Sequence, residues 1–193
     1  MWSVGAAAAL LVVVGIANAY RTANLRRANE VLAQGLAATR SNDWAKAVES
    51  LNRLQSEWPN TAPGRLGSLV AAQLELREKR FDQAQAKITT AERGSALSPY
   101  LEQQLLLARA LTLEGTAQYD EAAKYAERAA NLTGPYTAPS LYEAARLFLR
   151  AGNEARAREL VDKLQREHAS APESTWTKFL LPAEAPSGSA PSA

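Results

Sequence analysis

Four short stretches decide how this chain is read. They are Asn42-Asp43-Trp44-Ala45-Lys46-Ala47, Lys79-Arg80-Phe81-Asp82-Gln83-Ala84, Gln118-Tyr119-Asp120-Glu121-Ala122 and Gly152-Asn153-Glu154-Ala155-Arg156-Ala157. Each is a turn, an aromatic residue or its substitute, and a small alanine that opens a helical pattern. The alanines Ala47, Ala84, Ala122 and Ala157 are 37, 38 and 35 residues apart. Self-similarity at a period of 20–50 residues marks a repeat architecture in which each unit buries its apolar face on the next. The expected fold is therefore all-α.

Working outward, the apolar period and the turn residues predict helices over Trp44–Trp58, Pro63–Lys79, Phe81–Arg93, Pro99–Glu114, Tyr119–Leu132, Pro139–Ala151 and Glu154–Ala169. Another helix leads up to Arg40. Pro63, Pro99 and Pro139 suit first-turn positions, and Gly94, Gly115, Gly134 and Gly152 suit helix ends. Ser174–Leu181 carries Trp176, Phe179 and Leu180, and is expected to cap the open end of the stack. Residues 182–193 are Pro, Ser, Ala, Gly and one Glu, a composition that reads as a disordered tail.

The pattern resembles the tetratricopeptide (TPR) repeat over roughly Ala28 to Ala171. In the first unit Gly35, Ala47 and Leu51 stand at the small, small and apolar positions, and Pro59 ends the helix. The second unit has Ala72, Ala84 and Ile88 there, the third Ala110, Ala122 and Ala126 with Pro135, and the fourth Ala145, Ala157 and Val161. Small residues at these places let two helices approach closely. The aromatic expected at the start of the fourth unit is replaced by Glu154. The resemblance implies a TPR-like α-solenoid of about four helix-turn-helix repeats over residues 21–181. It also implies a concave groove lined by Leu32, Leu36, Arg40, Leu69, Gln73, Arg77, Leu107, Leu111, Glu114, Tyr142, Arg146 and Arg150. That groove would be a leucine strip with basic edges, suited to a protein segment with acidic flanks.

The first twenty residues, MWSVGAAAALLVVVGIANAY, contain no charge. A helix of that length spans roughly 30 Å, the thickness of a bilayer core. Its large apolar residues favour insertion by about −2 to −4 kcal/mol in sum. Residues 1–20 are expected to be a transmembrane anchor. Ala17-Asn18-Ala19 also fits a signal-cleavage pattern, but no Lys or Arg precedes the apolar run. With the repeats, this segment resembles the ancillary subunit of the bacterial SecYEG translocon. That resemblance implies a single-pass inner-membrane protein with a periplasmic repeat domain, whose partners are a translocon or a chaperone. Arg21, Arg26 and Arg27 after the span instead favour a cytoplasmic orientation. Two other roles fit the same features: a cytoplasm-facing scaffold regulating envelope biogenesis, and a structural accessory subunit of a larger membrane complex.

The rest of the composition narrows the chemistry. The 193 residues carry a net charge of +2, with cations and carboxylates alternating along helices rather than clustered, so no nucleic-acid partner is expected. There is no cysteine and a single histidine, His168, placed near a helix end as a surface or capping residue. A general acid–base site needs a positioned partner that His168 lacks in sequence. Gly64-Arg65-Leu66-Gly67 lacks the strand and the Lys-Ser/Thr of a phosphate loop. No metal, no cofactor, no small-molecule substrate and no enzymatic activity are expected.

Overall fold

The computed structural model describes the backbone of residues 2–93 and 98–181, and side chains within those ranges from residue 18 onward. Among these residues there are nine α-helices and no strand. They are α1 (Trp2–Arg40), α2 (Trp44–Glu57), α3 (Ala62–Arg77), α4 (Phe81–Glu92), α5 (Pro99–Gly115), α6 (Tyr119–Ala130), α7 (Thr137–Arg150), α8 (Glu154–Glu167) and α9 (Pro172–Trp176). A single 3-10 turn, Thr177–Phe179, follows α9. The helices expected from sequence are all present, with ends shifted by one or two residues. Gly94 and the tail 182–193 lie outside the described residues.

Four turns have one geometry. Asn42, Lys79, Ala117 and Gly152 sit in the left-handed region at φ of 57°, 57°, 60° and 80°. In each turn the next residue's N–H reaches back five positions: Asp43 to Ala38 O (2.9 Å), Arg80 to Glu75 O (2.8 Å), Gln118 to Leu113 O (2.9 Å) and Asn153 to Phe148 O (2.8 Å). This is the Schellman closure of a helix C-terminus. The next helix then starts with Ala47, Ala84, Ala122 and Ala157 donating to the carbonyls of Asp43, Arg80, Gln118 and Asn153. Only Gly152 holds the left-handed position without a Cβ. Gly115, expected at a helix end for its freedom, is instead required by packing: a Cβ there would land inside the Phe81 ring.

The alanines of the repeated stretches are fully buried, Ala47, Ala84, Ala122 and Ala157 at 0%. Gly35, Ala72, Ala110 and Ala145 are buried too, as are Leu51, Ile88, Ala126 and Val161. All twelve positions singled out in the sequence are therefore core.

The chain divides into two compact units, Met1–Leu74 with Ala86–Ser95, and Glu75–Gln85 with Ala96–Ala193. In the first, α1 packs on α2, and Ala28, Val31, Leu32, Leu51, Leu54, Trp58 and Ala71 form the core. Trp58 Nε1 donates to Asn24 Oδ1 at 2.7 Å, and buried Arg65 donates from Nε to Ala91 O at 2.8 Å. In the second, α5, α6, α7 and α8 pack in sequence around an alanine-rich core completed by Leu141, Leu147, Phe148, Leu160 and Leu164. Gln103, fully buried, donates to Ala129 O and Leu132 O.

The end of α8 repeats the end of α2. Trp58 and His168 close their helices at φ/ψ of −135°/44° and −134°/41°, each donating four residues back. His168 is thus a capping residue. A proline-led helix follows in both cases, but α9 stops after Trp176. Ser174 Oγ bonds the Leu164 and His168 carbonyls, and Gln165 Nε2 donates to Thr177 Oγ1, tying the short segment to α8.

One expectation is corrected. Among the described residues no helix is long and apolar enough to cross a membrane. The side chains of residues 1–17, most of the expected anchor, lie outside the described residues. From Asn18 onward α1 is polar, carrying Arg21, Arg26, Arg27, Glu30 and Arg40. Placement as a single-pass inner-membrane protein is not supported.

Candidate functional site

The most distinctive surface belongs to the second unit. On α5, Tyr100, Gln104, Leu107, Leu111 and Glu114 recur every three or four residues and share one face. On α7, Tyr142, Arg146 and Arg150 do the same. Cross-links between these helices join residues about one repeat apart. The Tyr100 and Tyr136 rings are 5.6 Å apart, Gln104 Nε2 donates to Tyr136 Oη at 3.0 Å, and Glu114 meets both Arg146 and Arg150. Offsets of 32 to 36 residues put Leu107 opposite the stretch of α7 that includes Tyr142. On the far side of α7, Trp176 of α9 meets Tyr142 edge-on, ring centroids 5.7 Å apart at 77°. α5, α7 and α9 together present a strip that is apolar and open: Leu111 is 47% exposed, Trp176 45%, and Leu107 and Tyr142 are half-buried.

One end of the strip is charged. Arg146 donates from Nη1 and Nη2 to the two oxygens of Glu114, both at 2.7 Å, and from Nε and Nη2 to Glu143 at 3.0 and 2.6 Å. Arg150 donates from Nη1 to Glu114 at 2.5 Å and from Nη2 to Tyr119 Oη at 3.0 Å, its guanidinium lying 4.4 Å over the Tyr119 ring. Paired arginine–carboxylate forks of this kind are the stronger ion pairs. The hydrogen bond from Arg146 holds the Glu114 carboxyl below its ordinary range, against the opposing effect of burial. The same bond raises Arg146.

The sequence expectation divides accordingly. Leu107, Leu111, Glu114, Tyr142, Arg146 and Arg150 are brought onto one face. Leu32 and Leu69 are core, at 8% and 3% exposure, and Leu36 packs on the core of the first unit. Arg40, Gln73 and Arg77 are exposed. The basic edge is corrected in kind: Arg146 and Arg150 are met by Glu114 and Glu143, so this end is electroneutral. Sequence reading missed the Tyr100–Tyr136 pair and the part played by Trp176. It also missed Arg65 and Gln103, which each precede a core alanine, Ala72 or Ala110, by seven residues and bond a carbonyl 26 residues on. That matched offset was the available signal. Among the described residues no three His, Cys, Asp or Glu side chains converge as a metal site.

Set against known proteins, the sequence matches no family model and no curated protein.

Proposed function

We propose that this chain is a TPR-like α-solenoid that acts by binding another protein, not by catalysis, and that the partner sits on the α5–α7–α9 face. The observation that carries the reading is the half-exposed strip of Leu107, Leu111, Tyr142 and Trp176 on a helical frame. Large apolar and aromatic side chains on one continuous face are the composition of binding hot spots. The four matched turns and the twelve buried repeat positions support the TPR-like reading. From the resemblance of the repeat pattern alone to that of the translocon's ancillary subunit, the proposed role is in protein translocation or chaperone recruitment.

The test is crosslinking recovery of the partner with Leu111→Asp and Trp176→Asp combined. Both side chains are exposed, so the fold should keep its melting temperature to within a few degrees. Recovery should fall at least about tenfold, the loss expected when a charge enters a desolvated contact. Asp162→Arg, on the exposed side of α8, should leave recovery unchanged. Equal recovery from the double variant and the unaltered chain sinks the reading.

A further inference from the structure

Two arginines on an otherwise apolar face invite an acidic partner, and the structure puts an obstacle in the way. Glu114 is the least exposed member of the charged cluster, with its side chain 16% exposed against 27% for Arg146, 32% for Glu143 and 48% for Arg150. It uses both oxygens on Arg146 and one of them again on Arg150. This is the bidentate geometry that a partner's carboxylate would itself adopt. The residue is tethered to the face through α5, so it competes at the high effective concentration of an intramolecular ligand. A second carboxylate arriving at the arginines must either displace it or lie beside it, and like charges held a few ångströms apart repel strongly in a half-buried site.

We propose that Glu114 is a specificity-determining guard: by occupying both Arg146 and Arg150 it completes, with Glu143, the charge balance at this end of the α5–α7–α9 face, turns away acidic segments and leaves the face to apolar, uncharged ones. Specificity of this kind works by penalising the wrong partner as much as by rewarding the right one. The inference rests on reading that face as the binding face. It adds the chemical class of partner: a segment whose apolar stripe meets Leu107, Leu111, Tyr142 and Trp176 and whose end over Arg146 carries no carboxylate. Glu143 contributes differently. It bonds Arg146 alone, so removing its charge leaves the Glu114 fork in place.

The experiment uses the full chain and two synthetic peptides, one alternating leucine and aspartate, the other leucine and asparagine. Unaltered protein should bind the asparagine peptide the more tightly. Glu114→Gln keeps the size and an acceptor oxygen while removing the charge. It should tighten the aspartate peptide at least about tenfold, a gain that shrinks as salt rises. Glu114→Asp, still charged, should gain little, and Glu143→Gln less than Glu114→Gln. The proposal is overturned if the unaltered chain prefers the aspartate peptide, or if folded Glu114→Gln leaves its affinity within about twofold. A second readout needs no peptide: sulfate titrated against side-chain 15N signals of Arg146 and Arg150. Glu114→Gln should show saturable shifts at concentrations that leave the unaltered chain unmoved. Identical titrations in both overturn the guard. If neither peptide binds any form, the binding-face reading fails, and the sulfate titration still decides whether Glu114 blocks an anion.

Discussion

The two units mix alanine and large apolar residues in their cores in different proportions. The first sets Val31, Leu32, Leu51, Leu54, Trp58, Leu69 and Ile88 beside the buried alanines Ala28, Ala38, Ala47, Ala71, Ala72 and Ala91. The second fills much of its own with alanine: Ala110, Ala122, Ala123, Ala126, Ala130, Ala144, Ala145 and Ala157. Alanine lets helix axes approach closely, and closely packed helices leave no space between them for a large side chain. On α5 Leu105 and Leu106 are buried, and on α7 Leu141, Leu147 and Phe148 are. Leu32 and Leu69 are consumed by burial, whereas Leu107 stays half-buried and Leu111 is exposed. The unit richer in buried alanine is the one that leaves Leu107 and Leu111 open on α5, although the first unit also exposes Trp44 and Val48 on α2.

The sharpest break in that comparison is a pair of identical substitutions. Leu54 is fully buried, and an added Cβ at neighbouring Gly67 would lie 2.8 Å from its Cδ1, so there is little slack to refill its space. Leu54→Ala should cost about 3–4 kcal/mol, the transfer loss plus the cavity left behind. Leu111→Ala removes the same atoms from a surface position and should change stability by less than about 0.5 kcal/mol. Urea unfolding of both variants checks this. A cost for Leu111→Ala approaching that of Leu54→Ala means that Leu111 is core, and the proposed face loses its centre.

A smaller effect tests the charged end of the strip. Glu114 has its folded pKa lowered from the ordinary 4.5, chiefly by the Arg146 hydrogen bond. Between the two values the unfolded chain binds the proton and the folded chain does not, so stability falls as pH falls. The contribution is fully present above about pH 4.5 and is lost as pH drops through the lowered folded value. A partly exposed network of this kind is worth about 1 kcal/mol at neutral pH. Glu114→Gln should therefore be less stable than the unaltered chain at pH 7, and the gap should close towards pH 3. Paired denaturant titrations across that range read it. A gap that stays constant with pH would mean that the carboxylate charge contributes nothing.

Local and long-range features were not equally legible in the sequence. The small alanines and the turn residues declare themselves locally, because each must satisfy a close helix approach or a helix end within a few positions. All twelve repeat positions and nearly every helix were readable for that reason. Left-handed Lys79 and Ala117 were not, since neither residue type prefers that conformation; the flanking helices impose it at a cost of about 1–2 kcal/mol each. The partition of the groove was hidden for a different reason. Leu32 and Leu107 look alike in register, and which is buried depends on how much room the neighbouring helices leave. The pairing of Glu114 with Arg146 spans 32 residues. Sequence placed both on one face but carried no sign that they would neutralise each other.

The turns that the two units share allow the finest comparison, because they have the same backbone closure and differ in how the helix start is capped. In the first unit Asp43 accepts from Lys46 N at 3.2 Å, and in the second Asn153 accepts from Arg156 N at 3.2 Å. Gln118, at the same place before α6, makes no such bond and turns its amide to Thr116 Oγ1 instead. Its side chain is one methylene too long to fold back onto the first free N–H, which is why Asp, Asn and Ser lead at this position. Gln118→Asp should therefore stabilise the chain by about 0.5 kcal/mol, less than the typical cap because Asp120 and Glu121 already place negative charge at that helix end. Asp43→Ala should cost about 1 kcal/mol. Thermal unfolding of the two variants, read by the shift in midpoint, should move in opposite directions. If Gln118→Asp is destabilising, then the Gln118–Thr116 bond contributes more to the third turn than a side-chain cap would.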